Sequence, residues 1–145
     1  MAASSVRELV SRLVSLYRDE ILPARTRRVH LLGRKCTPQL MKTFLGYELR
    51  LGRKRVTCPD MPTARYLQVF GEIGLASVLI PYEPNRTSGF VPELEGLLEE
   101  LKKATPEPPK RRRVYQDLRR RLGEVEGEAA ASVHGQSRVD PFTHG

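Results

Sequence analysis

Tryptophan is missing from this chain, and aromatic residues make up only 6% of its 145 positions. Any core it builds must be mainly aliphatic. Cysteine occurs only at Cys36 and Cys58, without CxxC spacing or a nearby histidine, so neither a zinc knuckle nor a redox motif is indicated. No secretory leader precedes the pair, and reduced thiols in an intracellular protein are expected. The histidines His30, His134 and His144 stand alone, whereas a general base or a metal ligand needs a positioned partner. No apolar run approaches the ~20 residues that a membrane span requires. There is also no P-loop, dinucleotide fingerprint, HExxH or nucleophile elbow. The chain reads as non-catalytic, with no cofactor and no metal.

Acidic residues are in deficit as well. Twenty-five Lys+Arg against 17 Asp+Glu leave a formal charge of +8. Such a balance favours polyanionic partners, nucleic acid first, with DNA and RNA left open.

With 39% apolar residues, the chain can form one small domain with appendages. Its organising stretch runs from Gly52 to Pro84: a basic strand, a proline-rich turn, an amphipathic helix and the most apolar strand. Strand and helix of this kind cover each other's apolar faces. The expected fold is α/β (α+β), with helices packed on a three- to four-stranded sheet over residues 5–104. A Pro-rich linker and a basic, mostly disordered tail are expected over 105–145.

Ser5 and Glu8 form a capping box for a first helix reaching to about Leu22, with Val6, Leu9, Val10, Leu13, Leu16 and Tyr17 on one face. Within it, Leu16-Tyr17-Arg18 resembles the tripeptide of the LYR-motif proteins of mitochondria, over about one helical turn. That family is a helical bundle throughout, whereas strand patterns follow here. Val29–Leu32 reads as a short strand. Thr37-Pro38 then predicts a helix carrying Leu40, Met41, Phe44 and Leu45, stopped at Gly46. Tyr47–Leu51 alternates as a strand, and Arg53–Thr57 reads as another.

A helix beginning at Asp60 or Thr63 carries Ala64, Leu67, Phe70 and Ile73 and ends at Gly74. Leu75–Tyr82 is a buried strand. The order of basic strand, Pro62-Thr63-Ala64 and Gly74-Leu75 resembles part of the nineteen-kilodalton protein of the signal recognition particle over about thirty residues, which implies an RNA-particle setting. Glu83–Gly89 reads as a loop, and Val91, Leu94, Leu97, Leu98 and Leu101 line a further helix.

The candidate nucleic-acid contacts are Arg27, Arg28, Arg34, Lys35, Arg53, Lys54 and Arg55, whose cations would neutralise successive phosphates. Tyr47 is a candidate stacking face for an unpaired base. Lys110, Arg111, Arg112 and Arg113, preceded by prolines that hold the backbone extended, read as a nuclear localisation signal. Val114, Leu118 and Leu122 would form a short helix ordered only on a partner.

These features point to a non-catalytic, basic subunit of a nuclear nucleic-acid-associated protein complex, binding backbone phosphate and protein partners. The alternative is a protein–protein interaction or assembly module using the leucine-rich helices 5–22 and 90–103, with a mitochondrial RNA-particle or assembly factor as one form of it.

Overall fold

The computed structural model describes residues 5–139, with side chains as far as residue 132. The protein is a small α+β domain of four helices packed on two antiparallel sheets. The first sheet pairs β1 (Thr26–His30) with β5 (Ser77–Pro81), Val29 opposite Val78. The second has the order β2 (Gln39–Thr43), β3 (Gly46–Leu51), β4 (Lys54–Cys58).

Helix α1 (Val6–Leu16) begins as its capping box demands, the Glu8 amide donating to Ser5 Oγ at 3.1 Å. It continues into a π-helical turn, Tyr17–Ile21, in which Leu22 N–H donates to the Tyr17 carbonyl at 2.9 Å. The wider turn keeps both Tyr17 and Ile21 fully buried. Leu16 and Tyr17 of the LYR-like tripeptide therefore belong to the core, and only Arg18, paired with Asp19, faces solvent.

Helix α2 (Met61–Ile73) lies at the centre. Asp60 caps it, accepting from the Thr63 amide at 2.8 Å. Ala64, Tyr66, Leu67, Val69, Phe70 and Ile73 are all buried, because the helix has the three-stranded sheet, α3 (Pro84–Ala104), α4 (Pro108–Val139) and β5 around it. Gly71 allows β3 to approach, since a Cβ there would lie 2.7 Å from Leu51 Cδ2. Gly74 ends the helix at φ +97°, and a Cβ at that position would fall 2.5 Å from Lys35 N. Substitution of Gly74 by Ala combines left-handed strain with a backbone clash, so a loss of about 2–4 kcal/mol is expected in urea denaturation. Gly89→Ala, with nothing nearby, should be neutral or mildly stabilising.

Several expectations are corrected. The apolar residues at Leu40, Met41, Phe44 and Leu45 do not share a helix face. They lie on β2 and the tip of a hairpin, with Leu40 opposite Leu49 and with Met41, Phe44 and Leu45 exposed. Cross-strand pairing with β3 overrides the local helical spacing there. The loop predicted at 83–89 is instead the start of α3, with Pro84 in the first turn and Thr87 Oγ1 donating to the Glu83 carbonyl at 3.4 Å. Pro92, which suits a first turn, sits inside this helix.

The largest correction is the tail. Residues 108–139 form α4, and Tyr115, Leu118, Leu122 and Val125 are buried against the rest of the domain. The boundary at 104 falls inside the folded unit, and the partner that orders the basic helix is this chain's own core. The disorder expected from Gly123 gives way to helix over the turn that buries Val125; residues 140–145 lie outside the described residues. Two arginines of α4 complete other helices: Arg111 donates to the Lys102 and Thr105 carbonyls at 2.8 and 2.9 Å, and Arg119 to the Ile73 carbonyl at 2.7 Å. Each places a cation on the carbonyl-rich end of a helix, where the dipole favours it.

Candidate nucleic-acid interface

The strand register decides where the basic residues point, because directly paired residues share a face and neighbours alternate. On the three-stranded sheet, Leu40, Leu49 and Val56 form one row, and Tyr47, Cys58, Leu51 and Lys54 share its face. This inner face packs on α2, and Leu49, Leu51 and Cys58 are buried in it. Gln39, Arg50 and Arg55 form the row of the outer face next to the β3–β4 turn, with Met41, Glu48 and Thr57 in the row behind it. No helix of the described residues covers that face.

The basic triplet is thus divided. Arg53 stands at the tip of the β3–β4 turn, Arg55 on the outer face, and Lys54 opposite Leu51 on the inner side. Arg34 reaches the same turn, its Nη2 lying 3.9 Å from where a Gly52 Cβ would be. Lys35 follows it in an exposed loop tight against the end of α2. Arg34, Lys35, Arg53, Lys54 and Arg55 are therefore brought to one end of the sheet.

Two expected contacts lie elsewhere. Arg28 is turned towards α4, donating to Ser77 Oγ at 2.7 Å and pairing with Glu126 at 3.3 Å. Arg27, opposite Ile80, sits near the other end of β4, where its charge acts on the Cys58 thiol. Five residues of strand, about 17 Å, separate it from the Arg53 turn. Among the described residues Arg27, Arg34, Lys35, Arg53, Lys54 and Arg55 make no ion pair, while Arg28 is already neutralised.

Arg50 and Gln39 were missed as neighbours of Arg55, because a helix reading of 37–46 hides the register that aligns them. Arg50 carries a partner of its own, Glu48, with Nε 3.1 Å from Oε2. Tyr47 is corrected as a stacking platform: it lies on the inner face, half-buried against the core. Lys110 to Arg113 occupy the start of a helix rather than an extended segment, and Arg111 is committed to the end of α3.

Neither cysteine is reactive by environment. Burial pushes the Cys58 thiol up to about 11, with Asp60 adding and Arg27 opposing. Burial also raises Cys36, helped by Glu72. At pH 8 a thiol of that kind is ionised to about one part in a thousand, so iodoacetamide should label native Cys58 very slowly and label it fully in urea. No group of histidine, cysteine and carboxylate side chains among the described residues could hold a metal ion.

Compared with known proteins, the chain matches no family model, no curated protein and no solved structure. No helix among the described residues is long and apolar enough to cross a membrane.

Proposed function

We propose that this protein is a non-catalytic, basic subunit of a nucleic-acid-associated complex, contacting phosphate backbone at the β3–β4 end of its open sheet. The observation that carries this reading is the gathering of Arg34, Lys35, Arg53, Lys54 and Arg55 at one sheet end without a carboxylate partner among the described residues. Cations held on a rigid sheet and free of internal pairing release counterions when they meet phosphates, which gives affinity that falls steeply with salt. The uncovered row of Gln39, Arg50 and Arg55 supplies hydrogen-bond donors beside them.

Arg53→Glu with Arg55→Glu tests the assignment. Both side chains are exposed, so thermal stability should hold within about 0.5 kcal/mol. Binding to single- and double-stranded oligonucleotides, titrated against salt, should lose at least tenfold in affinity. The slope of log K against log salt should shrink by about 2. An unchanged slope would overturn the assignment, and the ratio of the two affinities would show which nucleic acid the surface prefers.

Nuclear localisation remains part of the proposal, resting on the exposed Lys110, Arg112 and Arg113 at the start of α4. A fluorescent fusion carrying all three as alanine should redistribute to the cytoplasm. The mitochondrial alternative with a cleaved leader is disfavoured on physical grounds: cleavage within the first thirty residues would remove Leu9, Leu13, Tyr17 and Ile21 from the core. The assembly-module alternative loses its proposed surface, since Leu9, Leu13 and Leu16 and Leu94, Leu97, Leu98 and Leu101 are buried within the domain itself.

A further inference from the structure

A second basic surface lies away from the sheet, in a groove of about 450 Å³ between the start of α1 and the first half of α4. Val6 and Val114, both half-buried, form its floor, with the buried Val10 beneath them. Arg7 on α1 and Lys110, Arg113 and Arg121 on α4 form its walls, together with Asp117. Asp117 is already engaged by Arg120, at 2.6 Å. The four wall cations make no ion pair among the described residues.

This combination differs in kind from the sheet surface. A phosphate backbone laid in the groove would set charged oxygens against this valine floor, which costs solvation without a compensating hydrogen bond. An apolar stripe flanked by acids on both sides satisfies floor and walls together. The length favours a helix: Lys110 to Arg121 spans about 16 Å of α4, three turns, and a helix lying alongside keeps apolar positions i and i+4 over the floor for that distance. We propose that the α1–α4 groove is the docking site for an acidic amphipathic helix of a protein partner. Its apolar stripe covers Val6 and Val114 above the buried Val10, and its flanking Glu or Asp residues meet Arg7 and Arg121, Lys110 and Arg113. The basic cluster at the start of α4 thereby acquires two jobs: Arg111 faces inward to hold α3, and Lys110 and Arg113 face the groove. The proposal stands independently of nucleic-acid binding.

The test uses the full chain and a fluorescein-labelled synthetic peptide: a helix of glutamate and alanine with leucines forming one stripe at i, i+4 and i+7. A scrambled peptide of identical composition, its leucines dispersed, is the control for charge alone. Fluorescence anisotropy should show the striped peptide binding at least tenfold tighter than the scrambled one. Lys110→Glu with Arg113→Glu, both exposed, should abolish that binding while the circular-dichroism melt is retained. Val114→Asp should weaken it as strongly by placing an acid on the floor. Arg53→Glu with Arg55→Glu should leave it unchanged even if that pair abolishes oligonucleotide binding, so the two surfaces fail or succeed separately. Equal binding of the two peptides would overturn the proposal, as would indifference to the Lys110 and Arg113 reversals. Displacement of the peptide by a duplex oligonucleotide that persists in the Arg53→Glu, Arg55→Glu variant would also overturn it by making the groove a nucleic-acid surface.

Discussion

Removing residues 108–145 should leave a chain that no longer folds cooperatively. Tyr115, Leu118 and Leu122 are essentially inaccessible and Val125 is 8% exposed, so four apolar side chains lose their partners and their partners lose them. At about 1.5–3 kcal/mol for each buried side chain, the loss is of order 6–12 kcal/mol, comparable with the whole stability of a small domain. The polar consequences add to it. Glu72 loses the Tyr115 hydroxyl, which donates to it at 3.2 Å. The Lys102, Thr105 and Ile73 carbonyls lose the guanidinium donors that finish α3 and α2. A broad or absent thermal transition in circular dichroism is the expected outcome. A sharp transition near that of the full chain would mean that α4 is an appendage and that its buried face contributes little.

Tyr17→Ala should cost about 3–5 kcal/mol in urea denaturation, the range for emptying a large aromatic site. Tyr17 is fully buried, with its ring 5.7 Å from that of Phe70. Its hydroxyl joins three parts of the fold: it accepts from the Leu79 amide of β5 at 3.1 Å and donates to the Glu126 carboxylate of α4. Tyr17→Phe keeps the ring and removes the hydroxyl. It leaves the Leu79 amide without that acceptor and should cost about 1–3 kcal/mol. If the Phe variant were as stable as the parent, the polar link between α1, β5 and α4 would carry no stability.

A pH dependence follows from the same group. Burial, then the hydrogen bond to Glu126, raise the Tyr17 hydroxyl far above its ordinary value; burial does the same at Tyr66 and Tyr115. Folded protein therefore holds these protons more tightly than unfolded chain, whose tyrosines titrate near 10. The stabilisation is complete below that pH and declines as pH rises above it. Urea midpoints should be flat from pH 7 to about 8, decline gently above that as the Cys36 and Cys58 thiols ionise in the unfolded chain, and fall more steeply above pH 10, with a shallower fall above pH 10 in Tyr17→Phe.

The polar links that matter most were invisible as linear pattern. Tyr17 and Glu126, Arg111 and the end of α3, Arg119 and the end of α2 join residues that meet only after the helices pack. No spacing rule relates them. The hairpin at Phe44-Leu45 shows the converse, a local helical spacing that was plain to read but lost to pairing between β2 and β3. The hairpin closes locally, and what selects strand over helix there is long-range packing: β3 places Leu49 and Leu51 against α2, and β2 pairs with it.

Local chemistry was enough for several elements. The Ser5 capping box, the Asp60 cap, the Gly74 stop, the alternation of Tyr47 to Leu51 and the apolar strand before Pro81 depend on a residue and its near neighbours, so the sequence alone determined them. It likewise determined the α+β class and the excess of positive charge. Which cations share a surface was decided only by tertiary structure. Register separated Lys54 from Arg53 and Arg55, packing spent Arg28 and Arg111 on internal partners, and the burial of Tyr115, Leu118, Leu122 and Val125 turned an apparent tail into a core helix. Side-chain direction and helix docking are set by contacts between segments distant in the chain, and those contacts exist only in the folded molecule.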